Sequence, residues 1–419
     1  MRFEPHRPPE VPSQFPKMTS GILEGVRVLD LTQNVAGPFC TQILADLGAT
    51  VIKIERPDGG DDTRAWMPPE IGGESATFLA LNRGKRSIAL DLSSAPGKRA
   101  VARLARTVDV VVHSLRPASA ERMGLGHGAL SAGNPGLVYC AISAFGATGP
   151  LSELPGYDPL IQAFSGIMSV TGNEGDDPVR VSVSLVDMGT GMWAAIGILA
   201  ALLKRAGTGA GTVVEASLLD TSLSWMTVFV AGFLASGKLP RKLGSAMAMA
   251  APYQLFRTAD GRIFIGAGND RLFARVCEAI GRPELAVDAR FLTNRNRVER
   301  RSELQAEIEA ATGQRPTLEL VAALRAVGAP CSELNDVASV LGHEQVEASG
   351  MVVPLPTQSA PRHKVVATPL RLDGKRVVSR RPPPVLGEAT REMLADGLDD
   401  EDDPAPGWAA GEQRRTGAE

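Results

Sequence analysis

From Gly25 onward, short apolar runs alternate with longer segments of helical character. This alternation restricts the chain to an α/β fold with a largely parallel sheet and helices on both faces. The first unit shows the pattern clearly. Val26–Leu31 is a buried-strand run, Gly37-Pro38 opens a helix carrying Cys40–Leu47, Gly48 closes it, and Thr50–Ile54 is the next strand. Proline just inside a helix start and glycine just past its end mark a βαβ unit. Its turn, Thr32–Pro38, holds no GxGxxG to bring backbone against a pyrophosphate, which argues against NAD. Further strands at Ser87–Leu90, Asp109–His113, Leu137–Ala141 and Thr212–Ala216 alternate with helices at Gly97–Arg106, Ala120–Met123, Tyr157–Gly166 and Leu218–Phe233.

One carboxylate stands out in this frame. Val181–Val186 has the β-branched content of another buried strand. Trp193–Leu203 has the apolar density of a buried helix, and as an isolated run it is too short to cross a bilayer. Between them Asp187 enters the small-residue run Met188-Gly189-Thr190-Gly191-Met192. As a bare position Asp187 reads as a helix cap. The sharper reading is a carboxylate at the end of a buried strand, where open sheets place their ligand crevices, with glycines beside it to admit a substrate.

The character changes near Ala235: Pro252–Ile265 reads as a hairpin turning at Ala259-Asp260-Gly261, and helices follow at Arg271–Ile280, Val298–Ala311 and Thr317–Val327. The expected organisation is a flexible N-terminal extension at 1–20, a large α/β domain at 21–234, a smaller α+β domain at 235–336, a return to the large domain at 337–395, and a disordered acidic tail at 396–419. A net charge of −3 argues against nucleic acid or a membrane surface as partner. Cys40, Cys140, Cys277 and Cys331 form no CxxC pair and read as reduced cytoplasmic thiols. Five histidines without an HExxH argue against a histidine-based metal site. Met1–Ser20 is proline-rich and polar and does not read as a signal peptide.

An ordered set of segments carries a family resemblance: Gly25–Pro57, Gly60–Arg64, Asn82–Asp91, Glu121–Gly124, Ile142–Pro150, Gly156–Gly166, Leu185–Met192, Thr258–Gly261, Gly268–Phe273 and Pro382–Glu388. From about Ile22 to Leu394 the chain resembles the family III CoA-transferases, the group of the formyl-CoA:oxalate, carnitine and bile-acid enzymes. The resemblance implies a Rossmann-like, doubly wound CoA-binding domain, a smaller α+β domain and an interlocked homodimer. It also implies acyl-CoA and a free carboxylate as substrates, with no tightly bound cofactor. The family's nucleophilic aspartate falls on Asp187. That carboxylate would attack a donor acyl-CoA to form an anhydride and then an aspartyl-CoA thioester, so that one hard exchange becomes several easier steps.

The resemblance places Tyr157 and Asp158 beside this nucleophile, with a helix cap as the alternative role for Asp158. It assigns Val35, Ala36, Arg56, Leu90, Ser114, Leu115, Arg116 and Arg122 to CoA binding. Val35 stands where the formyl-CoA enzyme has a catalytic glutamine, leaving that polar role absent or to Gln33 or Asn34. Ser93 stands where that enzyme has a lysine at the nucleotide end, a loss for which Arg116 could compensate. The segment Gly244–Ala251, with Met247 and Met249, replaces a glycine run and points to a less polar acyl group than oxalate, though both methionines could equally pack. Succinyl-CoA with a dicarboxylate or branched acceptor is the expected pair. The α-methylacyl-CoA racemases share the fold and the Asp187 position but carry a histidine where this chain has Tyr157. Their two-base chemistry is therefore the weaker alternative.

Overall fold

Six apolar runs of the first half form one parallel sheet: β1 (Arg27–Leu31), β2 (Thr50–Glu55), β3 (Lys85–Ala89), β4 (Val110–His113), β5 (Val138–Ser143) and β6 (Thr212–Ser217). Their order across the sheet is β3-β2-β1-β4-β5-β6, with all five pairings parallel. Val28, Leu29, Val51, Ile52 and Val110–Val112 are all at most 1 % exposed, as strands covered on both faces must be. The winding reverses between β1 and β4, and open sheets of this kind bind ligands at that reversal, beyond the carboxyl ends of the strands.

The computed structural model describes residues 21–394; the expected extension at 1–20 and acidic tail at 396–419 lie outside the described residues. Two compact units emerge. One comprises 21–161, 184–224 and 350–394, and the other 162–183 and 225–349, against the sequence-based boundaries at 234 and 337. The connecting helices of the first unit include α1 (Ala36–Asp46), α2 (Ala95–Ala105), α3 (Pro117–Arg122), α4 (Asp158–Phe164) and α5 (Leu185–Thr208). The expected helix over Leu218–Phe233 is broken at Met226 into α6 (Leu218–Trp225) and α7 (Thr227–Ser236).

The structure overturns one expectation outright. Val181–Val186 is not a strand, because no neighbouring strand offers it a ladder. Instead the Gln162 side chain answers both backbone groups of Val181, accepting its N–H at 2.8 Å and donating to its carbonyl at 3.1 Å. Val183 is 63 % exposed, so the Val-Ser alternation buries no face. The following helix is correspondingly longer: α5 runs for 24 residues from Leu185, which gives it the length and hydropathy of a bilayer span that the shorter run lacked. Its inward residues place it in the core of the α/β unit. A Cβ on Gly191 would sit 2.5 Å from the Ala36 carbonyl of α1, and one on Gly197 would sit 2.6 Å from Val214 of β6.

The second unit holds a three-stranded antiparallel sheet ordered β9-β8-β7, from β7 (Tyr253–Arg257), β8 (Arg262–Gly266) and β9 (Cys331–Glu333). Helices α8 (Asp270–Ala279), α9 (Arg301–Thr312) and α10 (Thr317–Ala326) pack on it around Phe256, Ile263, Phe273, Leu304 and Leu324, none more than 1 % exposed. Met247 and Met249, 39 % and 60 % exposed, stand outside this core.

Candidate active site

At the reversal point of the sheet lies a cavity of about 230 Å³. The turn after β1 (Gln33–Gly37), the turn after β4 (Ser114–Pro117), the end of β5 with Ala144, Ser152 with Leu154–Tyr157, and Asp187 from α5 all line it. Asp187 is the one carboxylate in this lining and Arg116 the one cation. The sequence reading placed Asp187 at a strand end. It stands instead in the first turn of α5, delivered to the strand-end cavity from a helix.

Asp158 fixes that turn. The N-cap residue Ser184 offers no side-chain cap, and the buried Asp158 takes over: its Oδ2 accepts the N–H of Val186 at 2.7 Å and of Asp187 at 3.1 Å. Four amides at a helix start need such outside acceptors. Asp158 is thus a cap of α5. The alternatives of cap and neighbour to Asp187 merge into one role.

The electrostatics of Asp187 follow from this packing. A helix N-terminus favours a carboxylate anion, yet burial and then the nearby Asp158 charge raise the Asp187 carboxyl from its ordinary 3.8 to about 7. A carboxylate destabilised in this way is a stronger base and nucleophile once ionised. Of the adjacent glycines, Gly191 serves packing, since it is where α5 meets the start of α1. Thr190, on the same helix, donates to the Val186 carbonyl and meets Thr221 at 2.8 Å, further fixing the turn.

The expected site residues divide. Val35, Ala36, Ser114, Leu115, Arg116 and Tyr157 line the cavity with Asp187. Ser114 also accepts the Gln33 N–H at 3.3 Å, tying the two turns together. Arg56, Leu90 and Arg122 lie outside this lining. Arg56 is engaged with the Gly60 carbonyl and Asp62, and Arg122 with Ser119. Leu90 is 5 % exposed and packs within the sheet core. Gln33 and Asn34 line the cavity beside Val35. So do Trp66, Ser143, Ser152 and Leu218, which sequence reasoning did not single out. They come from four separate segments of the chain, and no local pattern announces their convergence.

Comparison with known proteins gives a consistent result. The sequence profile described as CoA-transferase family III matches residues 23–390. Succinyl-CoA:glutarate CoA-transferase of Mus musculus is 39 % identical over 376 residues, covering 90 % of this chain and 86 % of that protein. Acetyl-CoA:oxalate CoA-transferase of Acetobacter aceti is 38 % identical over 339 residues, 81 % of this chain and 87 % of that protein. The crystal structure of a CAIB/BAIF family protein from Brucella suis superposes with a TM-score of 0.81 at 38 % identity, covering 90 % of this chain and 99 % of that one.

Proposed function

From the premise that this chain belongs to CoA-transferase family III, and so moves CoA between an acyl-CoA and a carboxylate, we propose that Asp187 carries the reaction as its covalent nucleophile. The observation that supports this is its position as the one carboxylate lining the cavity at the sheet reversal. The Asp187 carboxylate attacks the donor thioester carbon, the C–S bond breaks, and CoA thiolate leaves behind an acyl–aspartyl anhydride. The thiolate then attacks the aspartyl carbonyl, expelling the donor acid and forming an aspartyl-CoA thioester. The acceptor carboxylate attacks that carbonyl and displaces the thiolate. The thiolate returns to the acceptor's acyl carbon, releasing the new acyl-CoA and restoring Asp187. Every step exchanges one anion for another, so no net proton or electron is needed.

This chain's groups suit those steps. Each attack develops negative charge on a carbonyl oxygen, and stabilising it calls for fixed donors. Val35, Ala36 and Gly37 line the cavity at the start of α1, where backbone N–H groups have no acceptor within the helix. They take the part that an amide side chain at Val35 would otherwise play, with Gln33 and Asn34 alongside. Arg116 shares the cavity with Asp187 and is suited to the second carboxylate of a dicarboxylic acid, so its role moves from the nucleotide end to the acyl end. Succinyl-CoA and a dicarboxylate such as glutarate are the pair this arrangement favours, and the mouse relative is a succinyl-CoA:glutarate enzyme by name. No histidine lines the cavity to pair with Asp187 as a second base, which weighs against racemisation.

The reading includes a homodimer in the cytoplasm. Support for the dimer comes from α7, whose sequence TVFVAGFLAS is almost wholly apolar while none of its residues is buried. Support for the compartment comes from Cys40, Cys140 and Cys277, all buried and unpaired.

The test incubates the protein with succinyl-CoA and a panel of mono- and dicarboxylates, with product thioesters read by mass spectrometry. New thioesters with wild type and none with Asp187→Ala are expected, together with a CoA adduct on the Asp187 peptide. Undiminished exchange by Asp187→Ala would refute the assignment. Loss of configuration from a chiral 2-methylacyl-CoA, with no carboxylate exchanged, would move the site to racemase chemistry.

A further inference from the structure

We infer that Lys53, in a buried clamp with Asp61, Asp30 and Lys85, is a positioning residue that holds the β1–α1 turn toward Asp187. The inference rests on the reading of Asp187 as nucleophile, since the turn matters to the reaction only if the chemistry occurs there.

Lys53 sits in the run Val51-Ile52-Lys53-Ile54 of β2, where an apolar residue would complete a buried strand. The side chains of Lys53, Asp61, Asp30 and Lys85 are all fully buried. Lys53 Nζ pairs with Asp61 Oδ2 at 2.8 Å, and Lys85 Nζ with Asp30 Oδ2 at 3.1 Å. Buried ion pairs are poor devices for stability, because desolvation cancels most of the attraction and apolar replacements often serve as well. Their value here lies in what else they bind.

All four reach the backbone of the same turn. Asp30 Oδ1 accepts the Thr32 N–H at 2.9 Å, and Lys53 Nζ donates to the Thr32 carbonyl at 2.8 Å. Asp61 Oδ1 accepts the Asn34 N–H at 3.2 Å, and Lys85 Nζ donates to the Pro38 carbonyl at 2.9 Å. Asn34 holds φ at 68°, a left-handed conformation that asparagine tolerates better than most non-glycine residues. Bracketed by these bonds are Val35, Ala36 and Gly37, which line the cavity at the start of α1. The clamp thus holds the cavity-lining turn from its buried side.

The charges are maintained at neutral pH. Burial pushes the Asp30 carboxyl up, but Lys85 and Lys53 outweigh it and hold it at about 2. Burial likewise lowers Lys53, and Asp30, Asp61 and Glu55 overcome it to leave the ammonium more strongly protonated than usual. The clamp reaches further through Glu55. Its Oε2 accepts the Asp61 N–H at 3.0 Å and pairs with Arg64, and its Oε1 accepts from Ser87 at 2.6 Å.

The test separates positioning from mere support. Lys53→Met, Asp61→Asn and the double variant are compared with wild type for melting temperature and for kcat and KM with succinyl-CoA. Lys53→Met leaves Asp61 buried and unpaired and is expected to melt lower, while the double variant regains much of that loss. In all three the expected kcat is about 100-fold lower, the scale on which a displacement of about 1 Å in a reacting group acts, with KM within about threefold. Asp61→Asn keeps an acceptor for the Asn34 N–H and carries the same comparison if Lys53→Met does not fold. Recovery of kcat together with melting temperature in the double variant would overturn the inference, as would a rise in KM matching the fall in kcat. The Asp187→Ala comparison is scored separately. Exchange surviving there defeats the nucleophile reading, whatever the Lys53 series shows.

Discussion

Replacing Asp158 by asparagine tests the electrostatics of the site with little change of shape. The Asp187 carboxyl lies at about 7 against an ordinary 3.8, with burial the larger cause and Asp158 the smaller. A rise of about 3 pH units corresponds to about 4 kcal/mol. Asp158, as the lesser contributor, accounts for under about half of it, at most about 1.5 pH units or about 2 kcal/mol. Only ionised Asp187 attacks, so kcat/KM climbs with pH through the free enzyme's value, and the wild-type acid limb is expected near 7. Asp158→Asn moves that limb down toward about 5.5, where a carboxylate is three-quarters ionised at about pH 6 rather than one-tenth. Relative to each protein's own plateau, the variant is therefore up to about eightfold more active at about pH 6. The asparagine carbonyl still accepts the Val186 and Asp187 N–H groups, so the loss of capping stays below about 1 kcal/mol, checked by thermal melting. The assay is acyl exchange followed by mass spectrometry from about pH 5 to about pH 9. A wild-type limb near 4, or a limb that Asp158→Asn leaves in place, would refute the reasoning.

Three other outcomes are expected. Because the folded Asp187 is raised above its unfolded value, its ionisation opposes folding: stability is greatest below about 3.8, declines up to about 7 and is level above. Asp187→Asn should thus melt higher than wild type at about pH 8 and alike at about pH 3.5, while losing exchange; equal melting at both would contradict the burial of a charge. Gly191→Ala drives a Cβ to 2.5 Å from the Ala36 carbonyl. Overpacking of that kind costs about 1–3 kcal/mol, and denaturant midpoints with kcat should both fall. Arg116→Ala should raise KM for a dicarboxylate acceptor about tenfold, the worth of a charge-assisted contact, and leave a monocarboxylate of equal length within about twofold. Equal effects on both acids would remove Arg116 from the acyl end.

The fold was legible in the sequence where burial enforces local pattern. Val28-Leu29, Val51-Ile52 and Val110–Val112 are apolar because both faces of a parallel sheet are covered, and Gly37-Pro38 with Gly48 bracket α1 as their backbone chemistry requires. The β-branched run at Val181–Val186 misled because strand character in isolation says nothing about whether a partner strand exists. A single glutamine side chain supplies the bonds there instead. Asp187 lines the cavity all the same. Its place between two apolar runs marked a change of element, and the reversal of strand order makes such changes ligand sites. What local pattern could not show is the second layer. Lys53, Asp61 and Asp30 are scattered over three segments; Lys53 and Asp30 each look like an intrusion of charge into an apolar run, and Asp61 sits in the polar run Gly60–Arg64. One signal was present all the same: a lysine within the buried run Val51–Ile54 cannot be solvated. Its counter-ion and its purpose must therefore both lie inside the fold, and the backbone of the turn beside Asp187 is what it touches.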